Sequence, residues 1–337
     1  MSKRWKKRPE GSNWGDYGPD DQIGRMNELT PERRLAGVRE IKEGKAFILS
    51  LPLDYPGGDA LIGARKPPRL FASAFDDGRV IYNSIIRRWD GCCDTCSDDG
   101  VTLNTQYSTQ WDSLPHVGSM FDADDDGVAE MVCYNGFKAG EDILGPNDEG
   151  GPYAKKLGIE TLAEACPQGR ASMLNFHAVW GKAKKAIGYD DTMRVIEAQK
   201  VDVRRGDFLL LYTGYDELLL GMNKQPDRDV LYAHCTGFDG YDRKLQEWIV
   251  DSGVVAICSD NLAVEVEHLP APDGSHTSMP LHELCLFKQG IFLGELWYLK
   301  DLADWLLANK RSACFLTAPP LRLPGAVGSP ASPIATV

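Results

Sequence analysis

Apolar residues return at helical spacing in four stretches and gather into short runs between them. The first stretch opens on Thr30-Pro31-Glu32, where threonine can cap free N–H groups, proline suits a first turn and the acid complements the helix dipole. Leu35, Val38 and Ile41 then fall on one face, and Gly44 can end the helix. Helical spacing returns over 192–200, through Leu245, Trp248 and Ile249, and over about 302–307. Apolar runs at 47–51, 80–86, 208–212, 254–258 and 314–317 read as strands, the third as a buried one. Strands alternate with helices, which predicts an α/β or mixed α+β fold.

No linker divides the chain, so residues 13–323 are expected to form one domain. Residues 1–12 read as a flexible lead whose Lys3, Arg4, Lys6, Lys7 and Arg8 are solvated. Residues 324–337, with Gly325, Gly328, Pro330 and Pro333, read as an irregular tail that lies on the body or on a partner subunit. The stretch 56–100 is rich in Gly, Pro and Asp and predicts loops near a site, and the acidic, Gly-rich stretch 121–169 predicts an extended loop or insertion.

A length of 337 residues with 43% hydrophobic positions is enough for a real core. The net charge of -12 argues against a nucleic-acid surface. No run of roughly 18 apolar residues and no basic start leading into an apolar region is present, so the expectation is a protein outside the membrane, in the cytoplasm. Nine cysteines, an odd count with one C-x-x-C at Cys93 and Cys96 beside Cys92, suit free thiols. Asp122, Asp124, Asp126 and Gly127 imitate the start of an EF-hand loop, but the twelfth position, which needs glutamate, is Cys133.

The candidate chemistry lies in 106–116, where Gln106, Gln110, Asp112 and His116 recur at even spacing and would share one face of an extended chain. Oxygen donors from Gln, Gln and Asp could hold a cation, and an imidazole moves protons near neutral pH. The alternative is a polar strand face beside a turn at Pro115.

The same segment resembles the metal-site signature H-x-G-T-H-x-D-x-P-x-H of the cyclase family, the kynurenine formamidase-like and isatin hydrolase-like hydrolases. Thr109, Asp112 and His116 match; Gln106 and Gln110 stand at the histidine positions, Ser108 at the glycine, and proline falls one place later, at Pro115. Trp14-Gly15, Met26-Asn27-Glu28-Leu29-Thr30, Arg205-Gly206-Asp207 and Asp260-Asn261 with Glu265 extend the resemblance to the longer members of the family. It implies a swivelling β/β/α-type fold, a homodimer, and two further metal-site positions at His282 and Glu295. Gln106, Gln110, Asp112, His282 and Glu295 would then surround a divalent ion, with Asp112, His116 and Glu295 as the catalytic groups.

Replacing two imidazoles with amides leaves a site made mostly of oxygen, which favours Mn²⁺ or Mg²⁺ over Zn²⁺. The implied activity is hydrolysis of an amide, imide, lactone or formamide in a small molecule. Two other readings stay open: a metal-free cyclase, dehydratase or isomerase using the same acids and His116, and a binding protein without turnover. Tyr107, Trp111, Phe121, Trp297 and Tyr298 suggest an apolar or aromatic ligand.

Overall fold

The computed structural model describes residues 4–59, 61–86 and 89–337. Nine strands form one sheet in the order Ala46–Ile48, Ile334–Thr336, Ala313–Thr317, Gln168–Asn175, Phe208–Tyr212, Ala256–Ser259, Phe292–Glu295, Gln110–Asp112 and Gly328–Pro330. The four strands from Gln168–Asn175 to Phe292–Glu295 run parallel. The strands outside them join antiparallel. Parallel strands are covered on both faces and so need unbroken apolar runs. Phe208–Tyr212 and Ala256–Ser259 meet that need, with every residue buried. Helices Tyr189–Gln199 and Arg243–Ser252 lie on the crossovers between parallel strands, and Lys300–Ala308 buries Leu302, Ala303 and Leu306.

The first predicted helix forms at Pro31–Val38, with Thr30 Oγ1 accepting the Arg33 N–H at 3.4 Å. Its packing is the reverse of an amphipathic reading: Leu35, Val38 and Ile41 are exposed and Gly37 is buried. A Cβ at Gly37 would stand 2.5 Å from Arg170 N and from Gly169 C, so the absent side chain is what lets the helix lie on the Gln168–Asn175 strand.

The ends of the chain depart further from the expectation. From Arg4 onward the lead is held to the body: Trp5 is buried with its ring 6.2 Å from Trp14, and the N–H groups of Lys6 and Lys7 donate to Ala123 O. Lys3 lies outside the described residues. The tail expected to be irregular contributes the strands Gly328–Pro330 and Ile334–Thr336, and Ala335 and Val337 are fully buried. Its Gly and Pro residues hid short strands that lean on neighbours rather than on their own propensity. In the acidic stretch, Asp122 accepts N–H bonds from Asp126 and Gly127 while Lys138 pairs with Asp124 and Glu130, so the EF-hand-like run is a turn. All nine cysteines are free. The stretch 56–100 carries a three-stranded sheet, Arg69–Ala74 with Val80–Ile81 and Asp99–Thr102, and a hairpin of Ser84–Ile85 with Thr95–Cys96. Among the described residues, no helix is long and apolar enough to cross a membrane.

Candidate active site and metal centre

The Gln110–Asp112 strand lies between Phe292–Glu295 and Gly328–Pro330. Strand alternation turns Trp111 to one face and Gln110 with Asp112 to the other, and Glu295, the register partner of Gln110, joins them there. Trp111 anchors the strand from behind, edge-on to Trp297 at 5.2 Å and donating from Nε1 to Ala318 O at 2.8 Å. His282 arrives from the helical turns at 280–289, with Nε2 3.2 Å from Glu295 Oε1 and Nδ1 2.8 Å from Glu265 Oε1. Glu265 also accepts the N–H groups of Leu281 and His282, each at 3.1 Å, which fixes the ring's position.

Gln110 Nε2 donates to Glu295 Oε2 at 2.9 Å and to Asp112 Oδ1 at 3.2 Å. Two acceptors remain buried without a donor, Gln110 Oε1 and Asp112 Oδ2, while Glu295 Oε1 has the ion-pair contact with His282. Ligand atoms of Asp112, His282 and Glu295 lie within 4.8 Å of one another. Buried oxygens left unsatisfied are costly, and a cation among them would remove the cost. The donor set therefore fits a small divalent ion.

The remaining predicted residues are placed by turns, not by an extended strand. Gln106 precedes the strand, and His116 follows it in a turn in which its N–H donates to Ser113 O at 2.9 Å. Gln106 Oε1 accepts the Thr105 hydroxyl at 2.7 Å and Nε2 lies 3.3 Å from His116 Nδ1. Both ends of its amide are thus engaged, and it meets the site through the histidine. Gly328 makes room for it, since a Cβ there would meet Gln106 Nε2 at 2.4 Å. With that amide donating, His116 Nδ1 accepts and the neutral ring carries its proton on Nε2, which faces Asp112 Oδ1 at 3.8 Å.

Burial lowers the pKa of His116, with Asp112 opposing, although 21% of its side chain stays accessible. Burial, reinforced by Asp112, pushes the Glu295 carboxyl up to about 7 against the pull of His282. Burial alone would lower His282; its bonds to Glu265 and Glu295 outweigh that and raise it to about 10. Three carboxyl groups, Asp112, Glu265 and Glu295, thus stand around the one ring of His282.

Beside Gln106 a narrow cleft of about 10 Å³, room for about one water, is lined by Leu61, Ile62, Arg65, Tyr107, Leu262 and Leu296. A larger groove of about 310 Å³ between the ends of Tyr189–Gln199 and Lys300–Ala308 has no acid or imidazole on its walls, whereas the narrow cleft reaches Gln106, which contacts the His116 ring. Of the aromatic residues expected at a ligand, Tyr107 lines that cleft, whereas Trp111 and Trp297 pack on each other and Phe121 packs on Trp14 and Phe287. Two residues of the site went unread in the sequence as such: Glu265, whose pairing with His282 no local spacing announces, and Arg65, whose guanidinium donates to Gln106 O at 2.9 Å.

The cyclase family model matches residues 49–266. The chain belongs to the cyclase family. This cyclase-family chain is similar to a solved structure described as a novel cyclase, at 29% identity over 97% of this chain and 99% of that one, with a TM-score of 0.75. Isatin hydrolase A from Ralstonia solanacearum shares the fold at 14% identity, 91% and 97% coverage and a TM-score of 0.57. So does isatin hydrolase A from Labrenzia aggregata bound to benzyl benzoate, at 14% identity, 86% and 93% coverage and a TM-score of 0.54. No curated protein matches the chain. The mixed α/β fold expected from the resemblance is the fold of these cyclase-family structures.

Proposed function

We propose that this chain is a hydrolase that uses a divalent cation to cleave an amide, imide, lactone or formamide bond in a small cyclic or aryl molecule. The observation that carries this reading is the pair of buried oxygens without donors, Gln110 Oε1 and Asp112 Oδ2, beside the Glu295 carboxyl and His282. Gln110, Asp112, Glu295 and, once its Nε2 proton has left, His282 would hold the ion, and their mostly oxygen character suits Mn²⁺ or Mg²⁺ better than Zn²⁺. A bound divalent ion supplies Lewis acidity toward a carbonyl and toward water.

The chain's own groups do the rest. His116, neutral because burial lowers its pKa, takes a proton from water at Nε2 in the tautomer whose own proton sits on Nδ1, with the Gln106 amide turned to accept it through oxygen, and returns the Nε2 proton to the leaving nitrogen or oxygen. Gln106 holds that ring, and Glu265 holds His282. Leu61, Leu262, Leu296 and Tyr107 make walls suited to an apolar or aromatic substrate, in keeping with the benzyl benzoate bound by one isatin hydrolase. Entry of such a molecule requires the 56–65 segment to move, because the cleft holds about one water as it stands. The protein acts in the cytoplasm as a homodimer.

A second reading is favoured by Glu295: a buried carboxyl pushed up to about 7, in the same site as Asp112, which lies 3.8 Å from the neutral His116 ring, offers with that ring an acid and a base for a metal-free dehydration, isomerisation or ring closure. Elemental analysis of protein purified without an affinity tag, with assays on isatin and aryl formamides in chelator and after adding Mn²⁺ or Mg²⁺, separates the two. Turnover lost in chelator and restored by the ion is expected. Full turnover in chelator by protein containing no metal overturns the hydrolase mechanism in favour of the second reading.

A further inference from the structure

The narrow cleft abuts both halves of the site. Gln106, one of its walls, touches the His116 ring, and Leu296, another, follows Glu295 in the chain. Two charged side chains stand among its otherwise mostly apolar walls, Asp59 and Arg65. Asp59 is paired with Lys66 where both are exposed. Arg65 has no such partner: its Nη1 donates to Gln106 O at 2.9 Å, and among the described residues no carboxylate pairs with it. One of five N–H groups is thereby used, so a half-buried guanidinium keeps most of its donors uncommitted beside the reacting groups. Its charge is felt there. Burial is the main cause of the lowered pKa of His116 and Arg65 adds to it; burial and Asp112 raise that of Glu295 and Arg65 pulls against them.

A cation left without an acid in a confined place is costly unless an anion arrives to meet it. Hydrolysis of an acyl compound makes one. Water adds its oxygen to the carbonyl carbon, the C–N or C–O bond breaks, and one water proton passes to the leaving atom. The carboxylic acid so formed gives its remaining proton to solvent, because near neutral pH it lies far above its pKa. We infer that Arg65 is a substrate-binding residue whose guanidinium holds the scissile carbonyl oxygen and then the carboxylate of the product; the inference rests on the hydrolase proposed above.

The geometry of the group supports that role. An arginine fork matches a carboxylate with two parallel N–H donors, which a lysine ammonium cannot do. Leu61, Ile62, Leu262 and Leu296 line the same cleft and would take the apolar body attached to the carboxylate. A product anion would otherwise face Asp112 and Glu295 with only the ion to offset them. Lys66 N donates to Asn104 Oδ1 at 2.6 Å, which ties down the chain immediately after Arg65 while the segment before it moves to admit substrate.

The same Nη1 bond could serve merely to bolt that segment to Gln106, and the test separates the two roles. The full chain and its Arg65→Gln and Arg65→Lys variants are titrated by calorimetry with benzoate and with its neutral isostere benzamide, with and without Mn²⁺. Arg65→Gln is expected to weaken benzoate about tenfold or more and benzamide less than about twofold, with Mn²⁺ affinity and melting midpoint unchanged. Arg65→Lys, which keeps the charge and loses the fork, should fall between the two, and it decides the matter if Arg65→Gln fails to fold. Equal losses of benzoate and benzamide make Arg65 a bolt and overturn the inference. So does benzoate that binds the variants as it binds the unaltered chain, or that does not bind the unaltered chain. Absence of Mn²⁺ binding by the unaltered chain overturns the hydrolase reading instead, and benzoate binding that still depends on Arg65 there upholds the anchor.

Discussion

Asp112 and Glu295 face each other across a strand pair with Gln110 between them, and His282 is the counter-charge in contact with Glu295. If these oxygens exist to hold an ion, removing one charge should remove the ion. Asp112→Asn is expected to abolish Mn²⁺ binding in calorimetry. Glu265→Gln, which touches the site through His282, should weaken it about 10–100-fold. His116→Ala should leave ion affinity within about twofold and lower turnover roughly a hundredfold, the usual size of a lost general acid/base. Loss of the ion in His116→Ala would make His116 a ligand and return the proton-transfer role to Glu295. The sequence carried these residues unevenly. Gln110 and Asp112 were legible from alternation because they sit on one strand; His282 and Glu295, some 170 residues away, were reachable only through the family resemblance. Gln106 lies before that strand across a turn, where even spacing no longer means a shared face.

Helix and strand positions were read more successfully than which side of them faces inward. The Phe208–Tyr212 strand is an unbroken apolar run and admits one interpretation. The Pro31–Val38 helix admits two, because a stripe at helical spacing and a buried glycine compete for the core, and close approach of backbone to backbone wins. Gly37→Ala is accordingly expected to cost about 1–3 kcal/mol through overpacking against Arg170 and Gly169, while Leu35→Ala, exposed, stays within about 0.5 kcal/mol. Chemical denaturation measures both, and the opposite ranking would mean that the helix is seated by its apolar stripe. The tail makes the same point about strands. Gly328–Pro330 reads as a breaker but pairs with the motif strand itself, so truncation after Gly325 should remove both a sheet edge and one wall of the site. A truncated chain that melts and binds Mn²⁺ like the full one would show that the pairing contributes nothing.

Buried carboxyls set how the whole molecule responds to pH. Burial raises the pKa of Asp260 and, with Asp260's charge beside it, that of Asp216; burial also pushes Glu295 up to about 7 and Asp207, against the pull of Arg170, up to about 6. An acid whose folded pKa lies above its unfolded value favours folding while protonated, and that contribution is lost as pH rises through the folded value. His282, raised from 6.5 to about 10, has the same sign: its contribution is complete below about pH 6.5 and is lost as pH climbs toward 10. At the acid end the opposite sign appears. Glu28 is held low by bonds to Arg33, Tyr17 and Arg205 that outweigh its own burial, and the stability it adds is lost as pH falls through its folded value. The two limbs place the greatest stability of the ion-free protein in mildly acidic solution, near pH 5–6, and the net charge of -12 adds self-repulsion above it. Melting followed by circular dichroism in chelator should therefore show a midpoint several degrees lower at pH 9 than at pH 5.5. Mn²⁺ should raise the midpoint more at pH 8 than at pH 5.5, because the ion competes with the proton for Glu295. Glu295→Gln should flatten the limb between about pH 4.5 and 7. A midpoint that rises from pH 5.5 to pH 9, or a slope indifferent to Glu295→Gln, would mean that these carboxyls are neutralised in the folded state by partners other than those described.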